Sequence, residues 1–84
     1  MTTLTLFGAS YCTPCAALKP IVESVAKAFG VSLAYVDISE NPALAKNLGV
    51  RNIPTVIALR DGTEVARMVG VPGNARARLE AMVG

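Results

Sequence analysis

The chain has 84 residues, 52% of them hydrophobic and 17% charged, with a net charge of +2. That length predicts a single domain over residues 1–84, and the apolar content excludes a disordered segment. No apolar run approaches the ~20 residues of a membrane span, and the scattered basic residues lack the aromatic platform expected of a nucleic-acid surface.

Leu4-Thr5-Leu6-Phe7 reads as a short buried strand. The period then becomes helical from Cys12 to Phe29, with Leu18, Ile21, Val22, Val25 and Phe29 on one stripe. Lys19, Glu23 and Lys27 take the opposite face at spacings that allow weak pairing, and Gly30 ends the helix. Pro20 falls inside this stretch, so one kinked helix is expected rather than a later start. Leu33 to Ile38 is a second strand. Asn41-Pro42 reads as an N-cap with proline at the first helical position, and Gly49 closes that short helix. Pro54 to Leu59 is a third strand, joined by an Asp61-Gly62 hairpin turn to a fourth over Glu64–Val69. Asn74 is positioned to cap a last helix bearing Ala75, Leu79, Met82 and Val83 on one side. The order β-α-β-α-β-β-α predicts an α/β fold, a four-stranded mixed sheet with helices packed on it.

Chemistry concentrates in one place. The only cysteines are Cys12 and Cys15, and there is no histidine. Histidine bases are therefore ruled out, and two soft ligands are too few for a mononuclear zinc site. Cys12-Thr13-Pro14-Cys15 lies between the first strand and the first helix, where unpaired N–H groups and the helix dipole favour a Cys12 thiolate. Cys15 follows one turn later, within reach of the first sulfur. The spacing suits an accessible attacking thiol and a sheltered resolving one. Two other readings stand beside this. The pair could be half of a zinc or iron–sulfur site bridging two chains, or two incidental buried thiols.

Taken together, Cys12-Thr13-Pro14-Cys15, Pro20, Asp37 to Pro42, Val50 to Thr55, Asp61-Gly62 and Val69-Gly70 resemble the thioredoxin family in order and spacing. The resemblance covers nearly the whole chain, apart from a strand and helix that begin a full thioredoxin. It implies a small thiol–disulfide oxidoreductase with Cys12 as nucleophile, Cys15 as resolver, and Thr13 and Pro14 tuning the pair. It implies that Pro54 is a cis-proline facing the dithiol, and that Ile53 and Gly70 line the surface where a partner chain docks. Tyr11 beside the thiol is expected to contact that partner or to pack as a plain aromatic. No bound cofactor is implied, only a redox-active Cys12–Cys15 disulfide. The expected partners are disulfide-containing proteins and a thioredoxin reductase, met by a monomer with neither nucleic acid nor membrane. Because no basic region precedes an apolar run at the N-terminus, a cytoplasmic setting is expected.

The departures from the family pattern are specific. Tyr11 and Thr13 stand where thioredoxins usually carry tryptophan and glycine. Leu6 replaces a buried aspartate six residues before Cys12, and Tyr35 replaces the lysine that often accompanies it. The Ser10-Tyr11-Cys12 approach is similar to glutaredoxins, so recharging by glutathione is an alternative. Ala9 and Val69-Gly70-Val71-Pro72, however, lack the features that would bind it. Asp37 reads equally as a turn residue or as a neighbour of the dithiol. Arg76 and Arg78 read as a solvated face, with a patch for an acidic partner as the alternative.

Overall fold

A computed structural model describes residues 1–84. The elements are β1 (Thr2–Gly8), α1 (Thr13–Phe29), β2 (Ser32–Asp37), α2 (Pro42–Asn47), β3 (Thr55–Arg60), β4 (Thr63–Val69) and α3 (Ala75–Val83). The expected order holds. The strands form one sheet in the order β2-β1-β3-β4. β1 and β2 are parallel, as their connection through α1 requires, whereas β3 pairs antiparallel with both β1 and β4.

Central β3 is apolar on both faces because both are covered, and β1 sets Leu4 and Leu6 on one face and Phe7, after Thr3 and Thr5, on the other. On one side Leu4, Leu6, Val56, Ala58 and Met68 meet Leu18, Val22, Val25 and Ala26 of α1 and Ala75, Leu79 and Val83 of α3. On the other, Phe7 and Ile57 pack with Ala45 of α2. β2 and β4 are the edges. A register shift between Ala58 and Leu59 in the β3–β4 pairing leaves Val65 unpaired and 47% exposed, and such bulges blunt an edge.

α1 runs unbroken through Pro20 and ends at Gly30, whose φ of 65° is a left-handed cap that glycine adopts freely. Its buried stripe differs from expectation at the end. Phe29 is 44% exposed, and Ala26 takes the inward position instead. In the last turn the small Ala26 faces the core, and Phe29, three residues on, is open to solvent. Lys19, Glu23 and Lys27 form no ion pair with one another, and Lys19 instead places Nζ 4.9 Å from the centre of the Tyr35 ring. Asn41 caps α2 by accepting from the Leu44 N–H. Asn74 occupies the N-cap position of α3 without making a side-chain cap bond, contrary to expectation; the turn is closed by Ala75 N–H donating to the Pro72 carbonyl at 3.0 Å. Arg76 and Arg78 are exposed, and Arg76 donates to Ser24 Oγ of α1. The Asp61-Gly62 turn has positive φ at both residues, which suits the twist of the hairpin.

Arg67 on β4 reaches across to the segment after α2. Its guanidinium donates to the carbonyls of Leu48 and Gly49 and forms a bidentate pair with Glu64. The loop that leads into Ile53-Pro54 is thereby tied to the far edge of the sheet.

Three carboxyls are held below the usual carboxylate range. The Ser39 hydroxyl and N–H do this for Asp37, the N-terminal ammonium for Asp61, and the Arg67 side chain for Glu64. A depressed folded pKa contributes stability that is present above the unfolded value, about 4, and is lost as pH falls through the folded one. The urea midpoint should therefore drop between pH 7 and pH 2.5. An equal or higher midpoint in acid would contradict these pairings.

Candidate active site

The register of the sheet collects the candidate residues at one end. Phe7 pairs with Thr55, Thr55 pairs with Val69, and Gly8 pairs with Asp37. The dithiol loop leaves β1 just after Gly8, Pro54 immediately precedes Thr55, and Gly70 immediately follows Val69. Residues distant in sequence thus become neighbours, because adjacent strands lie only ~4.8 Å apart.

Cys12 and Cys15 form a disulfide, with α-carbons 5.3 Å apart. Cys12 is the N-cap of α1, in extended conformation, and its Sγ accepts from the Cys15 N–H at 3.2 Å. Its own N–H donates to the Ala9 carbonyl at 3.1 Å, closing the turn that presents it. The first turn of α1 contains no acidic residue, so nothing cancels the positive end of the helix beside this sulfur. The two cysteines differ in exposure. Cys15 is 2% exposed, whereas Cys12 is half-buried. Thr13 and Pro14 between them are exposed, with Pro14 in the first helical turn.

The Ile53–Pro54 peptide is cis. Pro54 is buried and Ile53 half-buried. The Thr55 hydroxyl donates to the Asn52 carbonyl at 2.6 Å, satisfying its buried oxygen and bracing the turn. The Pro54 carbonyl accepts from the Gly70 N–H at 2.8 Å, so these two proposed docking residues are held together. Gly70 has a φ of 77°, which a side chain would strain. Tyr11 is 71% exposed and packs into no core, and Val69 and Val71 are also open to solvent.

Asp37 is a turn residue that also borders the loop leading to Cys12. Its carboxylate accepts from Ser39 N–H at 2.9 Å in a local turn, and the Ser10 N–H, two residues before Cys12, also helps hold it ionised. The sequence reading missed how near Tyr35 stands to the dithiol. A β-carbon on Gly8 would lie 2.9 Å from Tyr35 Oη and 3.2 Å from both Cβ and Sγ of Cys15. A glycine ending a buried strand ahead of the dithiol was the available signal, since such glycines mark close approach.

A cavity of about 520 Å³ lies elsewhere, between α2 and the following loop, lined by residues including Ile38, Ala45, Lys46 and Arg51. None of the dithiol or docking residues lines it. No group of three potential ligand side chains is arranged to hold a metal ion, and no helix is long and apolar enough to cross a membrane. The site itself is one disulfide between a half-buried and a buried cysteine, bordered by exposed Tyr11, Thr13 and Pro14.

Residues 1–83 match the family model described as thioredoxin. Among characterised proteins, the chain is 39% identical over 71 residues to thioredoxin of Mycobacterium bovis, covering 82% of this chain and 61% of that one. It is 44% identical over 66 residues to thioredoxin of Chlamydia caviae, covering 77% and 65% respectively. The chain therefore spans less than two thirds of the length of these relatives. Among solved structures, a thioredoxin variant from Halobacterium salinarum superposes with a TM-score of 0.89 at 35% identity, over 98% of this chain and 71% of that one. Thioredoxin 1 from Thermosipho africanus gives 0.86 at 25% identity, over 96% and 89%.

Proposed function

Since the chain belongs to the thioredoxin family, we propose that it is a thiol–disulfide oxidoreductase that reduces protein disulfides and is recharged by a thioredoxin-reductase-type enzyme. The observation that carries this reading is the asymmetry of the pair: a half-buried Cys12 at the helix N-terminus and a sheltered Cys15 one turn behind it. In the reduced state the Cys12 thiolate attacks a substrate disulfide. One Cys12–substrate S–S bond forms and the first substrate thiolate leaves. Cys15 then attacks Cys12 Sγ, the Cys12–Cys15 bond closes, and the second substrate thiolate departs. Two electrons pass to the substrate.

Tyr11, Ile53, Pro54 and Gly70 serve as the docking surface for the substrate's extended chain, and Thr13 and Pro14 set the reduction potential. A lone dithiol of this kind suits a reducing, cytoplasmic setting. The family match favours this reading over glutathione recharging, and Ala9 offers no cation for glutathione's carboxylates.

Two recharging assays test it. With insulin as the disulfide substrate, NADPH plus thioredoxin reductase should sustain turnover, whereas glutathione plus its reductase should not. Turnover with glutathione alone would make the protein functionally a glutaredoxin, and turnover with neither would remove the redox assignment.

A further inference from the structure

The resolving step needs Cys15 as an anion, and Cys15 is almost fully buried. Burial disfavours a thiolate unless a polar group meets it. Leu6 is fully buried and offers no such group. Tyr35 does. Its hydroxyl and the Cys15 sulfur flank the bare face of Gly8, at 2.9 and 3.2 Å from the point a β-carbon would occupy. Any side chain at position 8 would separate them. The hydroxyl donates to no protein group in the disulfide form, whereas the polar side chains that follow it, Asp37 and Ser39, are bonded to each other.

We propose that the Tyr35 hydroxyl is the hydrogen-bond donor that stabilises the Cys15 thiolate while it resolves the mixed disulfide. This role rests on the redox reading above. The proton lost by Cys15 goes to the departing substrate thiolate or to water, and Tyr35 keeps its own. The surroundings favour that division. Burial, with the negative charges of Asp37 at the end of β2 and Glu40 in the next turn, raises the tyrosine above its ordinary value, so it stays a donor at neutral pH. Lys19, one turn beyond Cys15 on α1, sits 4.9 Å from the ring centre and steadies the ring over this spot.

The test isolates the closing step with 5,5′-dithiobis(2-nitrobenzoate) as the probe. One equivalent reacts with the reduced protein at Cys12 and releases one thionitrobenzoate. Closure by Cys15 releases the second, read by absorbance in a stopped-flow instrument as a function of pH. Tyr35→Phe keeps the ring and its contact with Lys19. It is expected to leave the first release unchanged, to slow the second about tenfold at pH 7, and to move its pH profile to higher pH, as loss of one hydrogen bond to a charged group implies. Gly8→Ala should also slow closure by displacing the hydroxyl, and in its background Tyr35→Phe should add little. Closure at the wild-type rate and pH profile in Tyr35→Phe, or fully additive losses in the double variant, would overturn the proposal. Because the probe replaces protein substrate and reductase, failure of the insulin assay leaves this measurement interpretable.

Discussion

Cys12→Ser is expected to abolish reduction of protein disulfides, by roughly 10⁴-fold or more, whereas Cys15→Ser should halt the reaction one step later as a stable mixed disulfide. The difference follows from position. Cys12 is reachable and lies at the positive end of α1, where its sulfur already accepts a backbone N–H. Cys15 is 2% exposed, so a substrate disulfide does not reach it, and it acts only by attacking Cys12 Sγ once the mixed disulfide has formed. Serine at position 12 therefore removes the first bond-forming step, and serine at position 15 removes only the closing one. Mass spectrometry of each variant after exposure to oxidised insulin reads the outcome. Equal trapping by both variants would reverse or dissolve the assignment of roles.

Leu6→Asp should be strongly destabilising. Leu6 is fully buried on β1, within the cluster formed with α1 and α3. A carboxyl there loses the leucine's packing and, when ionised, its hydration, together about 3–5 kcal/mol. That is a large share of the roughly 4–12 kcal/mol expected for a domain of this size. Desolvation raises the folded-state pKa of the introduced aspartate above its unfolded value. The added penalty is therefore absent in acid, where both states are protonated, and grows as pH rises from about 4 toward neutrality. Measured against wild type at each pH, the deficit in urea midpoint should widen between pH 4 and pH 7. Leu6→Asn should show a deficit that does not vary with pH. A pH-independent deficit in Leu6→Asp would mean that its carboxyl has found water or a partner, and would contradict the dry packing of this position.

The sequence was most readable where one local rule sufficed. The helical period through Leu18, Val22 and Val25, the caps at Asn41 and Gly30, and the Asp61-Gly62 turn each express short-range geometry, and each appears at or within two residues of its expected place. Reading was weaker where burial depended on distant partners. Phe29 fits the apolar stripe of α1 but is 44% exposed, and Asn74 is a good capping residue whose turn is closed by backbone instead. Arg67 carried no sequence signal, because its partners are carbonyls 18 and 19 residues away.

The same division runs through the site. Sequence alone determined the reactive pair and its chemistry. Two cysteines a helical turn apart, at a strand-to-helix junction in a chain without histidine, leave little else to react. The resemblance carried by the flanking motifs supplied the family. The surroundings of the dithiol were decided only by tertiary structure. Pairing of Phe7 with Thr55, and of Thr55 with Val69, brings Pro54 and Gly70 to the same end of the sheet as the cysteines. Tyr35, aligned with Leu6 on the neighbouring strand, flanks with Cys15 the bare face of Gly8, a spot any side chain there would fill. Local sequence specifies what a group is. Strand register specifies what it stands beside, and it arises from burying two sheet faces at once, which no single segment encodes.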